Sequence, residues 1–411
     1  MLVNLTSTSE INNCNASVGG KASSLAKLYA IPALHSHVPK SYALSTSFFQ
    51  PWVDILTKSD EYKYVTNNTS SSDNEQFTTA CNKMKEACQT LPLNTSQHQV
   101  LDELSNIIAT KFNHSLAAVR SSATEEDGID QSYAGMFETK LGISSNKLEE
   151  AVRECFASKF DHRVFRYMLA NKKDMSTTTE TDKEGGFAVV VMEMIDSEVA
   201  GVAFSANPLN SDRDEIVVDS SFGLGESVVD GSVTADRFIY DKVQKKLVDT
   251  IIGSKKVERR LNLVEGGGVI TKPIDDVEKQ TSCSLPNEQL EELVKLICIV
   301  EEEYGIPMDV EWSFTNSRLV LLQARPITTL FYLDSKLMTV PGEKRVLYYD
   351  FNIASEATTT SPFTHMDMDL YCKFSSIIMG MPNVQIYKDD PNMPMFKAST
   401  RQYVNLSTGS G

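Results

Sequence analysis

Near residue 186 the hydrophobic pattern of the chain changes period, and this limits the possible folds more than any other feature. Before it, apolar residues recur three and four apart, as on one face of a helix. GGKASSLAKLYA carries Leu25 and Leu28, residues 45–57 carry Phe48, Phe49, Trp52 and Ile55, and residues 98–112 carry Leu101, Leu104, Ile108 and Phe112. Leu148, Val152, Phe156, Phe160, Val164 and Tyr167 predict one long helix over about 146–170. After residue 186 the chain reads FAVVVMEMI, AGVAFSA, DEIVVDSSFG, DRFIYDK and KKLVDTII. These runs are short, rich in Val, Ile and Phe, and bounded by turn residues, so they predict strands of an antiparallel or mixed sheet. One helix over 287–304 interrupts them. MDVEWSF and RLVLLQA then predict a hairpin closed at Thr315-Asn316-Ser317.

The resulting expectation is an α+β chain with boundaries near 186 and 330. A first lobe spans 1–185, a second 186–330, and a C-terminal extension 331–411. The polar tract from Thr66 to Gln76 reads as a surface loop or insertion, Lys172 to Gly186 as a connector, and no internal repeat stands out. A chain of 411 residues can bury a full core in more than one domain.

A net charge of −16 argues against a general role on nucleic acid or an anionic membrane. No apolar run approaches the roughly 20 residues that span a bilayer. MLVNLTSTSEINN lacks the charged and apolar regions of a signal peptide. The seven cysteines form no CxxC pair and are odd in number, which predicts reduced thiols in a cytoplasmic protein. The N-x-S/T triplets then read as ordinary polar sequence.

Four segments carry candidate chemistry. In Gly19-Gly20-Lys21 a lysine at a helix N-terminus can meet an anion that also feels the helix dipole; the plain reading is a solvated lysine after a turn. In AAVRSSATEEDGIDQSYAGMFETKLGI, Arg120 ends an apolar strand and a loop of small and hydroxyl residues follows. Such a loop can lay N–H groups along a phosphate chain beside the guanidinium, with Gly135 permitting close approach and Thr139 offering a hydroxyl. An ordinary acidic surface loop is the alternative. FGLGESVVDGSVTADRF places Glu226 after the tight turn of Gly223 and Gly225; a turn that packs two strands reads equally well. In MDVEWSFTNSRLVLLQARPIT, Asp309 and Glu311 lie two apart on one strand, as do Gln323 and Arg325 on the next. Each pair therefore shares a face. If the strands pair in register, a carboxylate, an amide oxygen and a guanidinium cluster, and hard oxygen ligands beside an arginine suit Mg²⁺ and a triphosphate.

These four segments, in this order, resemble the N-terminal ATP-binding region of phosphoenolpyruvate synthase, pyruvate phosphate dikinase and rifampicin phosphotransferase. The carrying residues are VGGKASSLAKL, AVRSSATEEDGIDQSYAGMFET, VAGVAFSANPLNSDRDEIVVDSSFGLGE and MDVEWSF with LLQARPIT, over roughly residues 10–330. The resemblance implies an ATP-grasp fold, two α+β lobes enclosing ATP. By position it implies Lys21, Arg120 and Arg325 as phosphate-binding and catalytic cations, Gly135 and Thr139 as loop contacts, and Glu311 and Gln323 as Mg²⁺ ligands. Met192 and Glu193 fall beside the base. Met192 departs from the family, which carries glutamine there, and its sulfur cannot supply the amide's hydrogen bonds.

The resemblance further implies cleavage of ATP to AMP, with the β-phosphate passed to a carrier histidine and phosphate released from the γ-position. The final acceptor would be of the pyruvate or water type or an antibiotic hydroxyl. None of the six histidines (His35, His37, His98, His114, His162, His365) has the glycine-rich Ser-His setting of a carrier. The expectation is an ATP half without its carrier, stopping part-way into a following domain. A nucleotide-binding sensor without turnover is the alternative, and a carboxylate–amine ligase a third.

Overall fold

The computed structural model describes residues 1–7, 17–67, 74–123, 138–171, 186–263, 267–330, 337, 346–350, 395–398 and 401–405. The chain divides into two compact units, Met1–Asp241 with Lys245–Thr328, and Lys242–Gln244 with Thr329–Gly411.

The first unit is built on two sheets. One contains β1 (Leu2–Asn4), β2 (Ser41–Leu44), β3 (Leu116–Ala123), β4 (Thr139–Ser144) and β5 (Phe187–Glu193), in the order β1-β2-β5-β3-β4. The other contains β6 (Val199–Phe204), β7 (Glu215–Phe222), β8 (Asp236–Asp241), β9 (Lys246–Ile251), and, after the separate hairpin β10 (Val257–Leu261) and β11 (Val269–Pro273), β12 (Met308–Thr315) and β13 (Arg318–Pro326). Its order is β13-β12-β6-β7-β8-β9.

FAVVVME is buried at all seven positions because β5 is a central strand, flanked by β2 and β3. It belongs to the first sheet, whereas the runs after it build the second. The passage between sheets therefore falls at residues 194–198. The shift in composition marks where strands become dense, and sheet membership is set by pairing partners far away in sequence.

The helices in the first unit include α1 (Gly19–Ala30), α2 (Thr46–Leu56), α3 (Asp60–Asn67), α4 (Asn74–Cys88), α5 (Thr95–Lys111), α6 (Leu148–Ala157), α7 (His162–Asn171), the short α8 (Glu226–Val229) and α9 (Asn287–Tyr304). The helix expected over 146–170 is broken. Asp161 is extended (φ −61°, ψ 135°) and its carboxylate accepts the Arg163 N–H at 3.1 Å, a side-chain N-cap that starts α7 afresh. A reciprocal cap between Asn94 and Gln97 starts α5 three residues earlier than the apolar spacing suggests. The ends of the polar tract fold into α3 and α4, and residues 68–73 within it lie outside the described residues.

Each sheet face has its own core. One face of the first sheet (Ala117, Val119, Val189, Val191) packs on Phe48, Phe49, Trp52 and Phe156 of α2 and α6. The alternate residues Ala118, Val190 and Met192 join a second core with α1, α9 and the inner residues Val310, Trp312 and Leu321 of the second sheet. The β12–β13 hairpin closes with Asn316 and Ser317 at φ 48° and 59°, the two left-handed residues of a type I′ turn. Gly305 ends α9 in the left-handed conformation (φ 69°).

The second unit contains a three-stranded antiparallel sheet of β14 (Tyr348–Asp350), β15 (Met395–Ala398) and β16 (Arg401–Asn405), with β16 central.

Candidate functional site: a cleft between two sheets

The site begins with a close backbone approach. Gly19 has φ +77°, and a Cβ there would lie 1.8 Å from the Ser122 carbonyl oxygen. Only glycine lets α1 start against β3. Ser122 Oγ then donates to Val18 O (2.9 Å) and accepts the Ala22 N–H (3.0 Å). One turn on, Ser24 Oγ donates to Ala324 O of β13 and accepts the Ala324 N–H at 3.2 Å. Helix α1 is thus pinned to both sheets, and Lys21 lies between the pins. Its Nζ donates to Ser121 O at 3.2 Å.

Arg120 reaches from β3 to the second sheet. Its Nη2 donates to Glu311 Oε2 at 2.9 Å and to Gln323 Oε1 at 2.8 Å. Glu311 and Gln323 are cross-strand partners on β12 and β13, and so are Asp309 and Arg325. Arg325 donates from Nε and from Nη2 to Asp309 Oδ2, each at 2.8 Å. Period-two alternation puts all four on one face. Arg120 Nε and Asp309 Oδ1 are buried with no hydrogen-bond partner among the described residues.

The two carboxylates titrate in opposite senses. Burial pushes Glu311 up, but Arg120, with Arg325 and Lys21 behind it, outweighs burial and holds the carboxyl below its usual range. Burial raises Asp309 more than Arg325 lowers it, and Glu311 adds a smaller repulsion. Three cations from three elements therefore act on one ionised carboxylate.

The cleft continues from this cluster. On the first sheet its wall includes Thr139, the cross-strand partner of Arg120, together with Leu141 and Met192. Met194, Ile195 and Ser197, between β5 and β6, follow, then Gly225 and Glu226 at the start of α8. The Met192 and Met194 positions make this stretch apolar.

The structure brings Lys21, Arg120, Thr139, Glu311, Gln323 and Arg325 into one neighbourhood, with Met192 on the wall. Glu193 is not brought there. It follows Met192 on the same strand and so faces the opposite side, where its Oε1 accepts the Asn113 N–H at 2.9 Å. Gly135 lies outside the described residues, as does His365. The sequence pattern did not single out Met194, Ile195 and Ser197. Their signal was the break between two strand runs.

Two α+β lobes with a cationic cleft between their sheets define an ATP-grasp-like protein. The family described as pyruvate phosphate dikinase, AMP/ATP-binding domain, matches residues 15–338, and the chain belongs to it. A probable phosphoenolpyruvate synthase of Methanocaldococcus jannaschii is 30% identical over 78% of this chain and 26% of its own length. A second, of Archaeoglobus fulgidus, is 29% identical over 76% of this chain and 40% of its own length. A rifampicin phosphotransferase of a Streptomyces species is 31% identical over 77% of this chain and 35% of its own length. The chain thus spans well under half the length of these relatives. It is an ATP/AMP-binding module of this family. Among the described residues, no helix is long and apolar enough to cross a membrane, and no cluster of three or more His, Cys, Asp or Glu could hold a metal.

Proposed function

We propose that this chain is the MgATP-binding kinase module of a dikinase-type phosphotransferase working in the cytoplasm. It passes the β-phosphate of ATP to a histidine on a separate carrier domain with AMP as leaving group, and water cleaves the β–γ bond to release phosphate. The observation that carries this reading is Arg120 bridging Glu311 and Gln323 across the cleft, beside the Arg325–Asp309 pair and with Lys21 on the adjacent Ser121 carbonyl.

The chemistry needs position and charge compensation more than covalent help. The three cations would offset most of the roughly four negative charges of ATP. On nucleotide entry Arg120 exchanges Glu311 and Gln323 for phosphate oxygens. That frees a carboxylate and an amide oxygen, the hard donors that would hold Mg²⁺. One or two protein ligands plus substrate phosphates is how this ion is usually held, so the donor set fits without a larger acidic cluster. Bound there, Mg²⁺ neutralises charge on the phosphoryl oxygens. Gly135 and Thr139, the first residue of β4, contact the polyphosphate in this reading, and the Met192 wall packs the base. The final acceptor is a small molecule of the pyruvate or water type or an antibiotic hydroxyl.

The test is product analysis. The chain with MgATP and a histidine carrier domain from the family should form AMP, and Lys21→Ala should abolish it. ADP as product would point to ligase-type chemistry. Tight MgATP binding without AMP would support the sensor reading, which the thioether of Met192 in the wall already favours over efficient turnover.

A further inference from the structure

The β10–β11 hairpin touches the cleft lining at three places, although none of its described residues is part of that lining. The first is the passage between the sheets. Arg260 Nη1 donates to the carbonyl of Ser197, a lining residue, at 2.8 Å. The other arm of the guanidinium, Nη2, donates to Glu258 Oε2 at 3.0 Å, and that oxygen also accepts from Lys279 Nζ at 3.0 Å. Burial pushes the Glu258 carboxyl up, but Arg260 and Lys279 outweigh burial and hold it below its usual range. An ionised carboxylate thus fixes the fork that holds the passage.

The second place is the glycine turn of the second sheet. The Arg259 carbonyl accepts the Leu224 N–H at 2.8 Å. The Arg259 guanidinium grips both ends of α8, donating to Glu226 Oε2 at 2.7 Å and to Asp230 Oδ2 at 2.8 Å. The third place is on the opposite wall. Gly268, just before β11, donates its N–H to the Gly142 carbonyl of β4 at 2.7 Å, next to the lining residue Leu141. A Cβ at Gly142 would lie 2.6 Å from the Gly268 carbonyl oxygen, and one at Gly267 would lie 2.4 Å from the Gly142 carbonyl oxygen. Glycine on both sides is what lets these backbones meet.

The three joints differ in strength. Two arginines tie the hairpin to the passage and to the second sheet, whereas a neutral backbone contact ties it to the first sheet. Hydrogen bonds with a charged partner are roughly twice as strong as neutral ones, so the glycine joint is the weakest of the three. Walls that move apart open it first. While it is closed, β4 and the Leu224 turn are held at one separation.

We propose that this hairpin is a strap between the cleft walls, with Arg260 as a positioning residue and the Gly142–Gly268 joint as the contact that opens for nucleotide exchange. This rests on the nucleotide reading above. The test is stopped-flow release of a fluorescent ATP analogue, with Mg²⁺, from the full chain and from its Gly142→Ala, Arg260→Ala, Arg260→Lys and Gly305→Ala variants. Gly305 shares the φ of +69° found at Gly142 but has nothing within 4 Å, so Gly305→Ala carries the left-handed strain without touching the hairpin. One lost hydrogen bond corresponds to roughly ten-fold, so Gly142→Ala and Arg260→Ala should each release the nucleotide about ten-fold faster than wild type. Arg260→Lys should recover part of the loss, because an ammonium reaches one acceptor but cannot fork onto two. Gly305→Ala should match wild type. In the unmodified chain, saturating MgATP should slow hydrogen exchange of the Gly268 amide, a readout that needs no variant to fold.

A wild-type release rate in either Gly142→Ala or Arg260→Ala overturns the proposal. So does equal acceleration in Gly305→Ala, which would assign the effect to lost stability, and so does Gly268 exchange that is indifferent to bound MgATP. A wild-type chain that binds neither MgATP nor the analogue overturns the nucleotide reading itself, and this inference with it.

Discussion

Arg120 on the first sheet and Glu311 on the second form an ion pair of 2.9 Å across the cleft, with only 11% and 22% of their side chains exposed. The pair joins the lobes through two groups that the proposed nucleotide would separate. Arg120→Ala should therefore lower AMP formation by about 10²–10³-fold, as for loss of one preorganised cationic or donor contact to developing charge. Arg120→Lys should recover little, because an ammonium cannot fork onto two oxygens. Steady-state AMP assays of the two variants check this.

The two β12 carboxylates should titrate in reverse of their usual order. Glu311 has its carboxyl lowered, so its contribution to stability is present above its unfolded value (4.5) and lost as pH falls through the lower folded value. Asp309 has its carboxyl raised, so its ionisation costs stability as pH climbs from the ordinary 3.8 through the raised value. Side-chain carboxyl NMR should find Asp309 titrating above Glu311. Glu311 titrating near neutrality would contradict the three-cation arrangement.

A buried ion pair in the second lobe should govern stability. Lys255 and Asp236 are both fully buried and paired. Asp236 also accepts the N–H of Gly253 at 2.8 Å and of Ser284 at 2.7 Å. Lys255→Met leaves the carboxylate buried with fewer partners and should cost about 3–5 kcal/mol by chemical denaturation. A loss of under about 1 kcal/mol would mean that water reaches the site.

How much of this was legible in the sequence depends on range. That Glu311 and Gln323 each share a strand face with their neighbours Asp309 and Arg325 was legible from alternation, but their pairing was not: counted from the Asn316-Ser317 turn Glu311 would meet Leu322, and a bulge between Glu311 and Trp312 brings Gln323 opposite it. Alternation also held the answer for Glu193, whose neighbour Met192 takes the cleft side; the family likeness drew both residues to the base. The Gly19–Ser122 approach and the Arg259 grip on α8 were not legible. Each joins segments with no local pattern in common, and only the folded backbone brings them together. The sheet to which β5 belongs was not legible for the same reason, since it pairs with β2 and β3, both far upstream.

Gly19→Ala tests one of those long-range joints. A methyl group there meets a backbone carbonyl at 1.8 Å and φ is +77°, so α1 must move. Gly231→Ala has a similar φ of +69° but open space. Gly231→Ala should cost about 1 kcal/mol, the ordinary left-handed penalty. Gly19→Ala should cost more than twice that and weaken MgATP binding as well, because Lys21 moves with the helix. Thermal and binding titrations of both variants separate the two effects.

Met192→Gln should tighten ATP binding by about 3–10-fold, because an amide supplies hydrogen bonds that a thioether cannot. The gain should be smaller for nucleotides whose base lacks the exocyclic amine. Competition binding with ATP and ITP checks both statements.

An experimental structure with Mg²⁺ and a non-hydrolysable ATP analogue tests the central claim most directly. The account predicts one nucleotide whose phosphates touch Lys21, Arg120 and Arg325 together, with the metal on Glu311 and Gln323 and the Arg120–Glu311 pair opened. A nucleotide bound elsewhere, with that pair still closed, would contradict it.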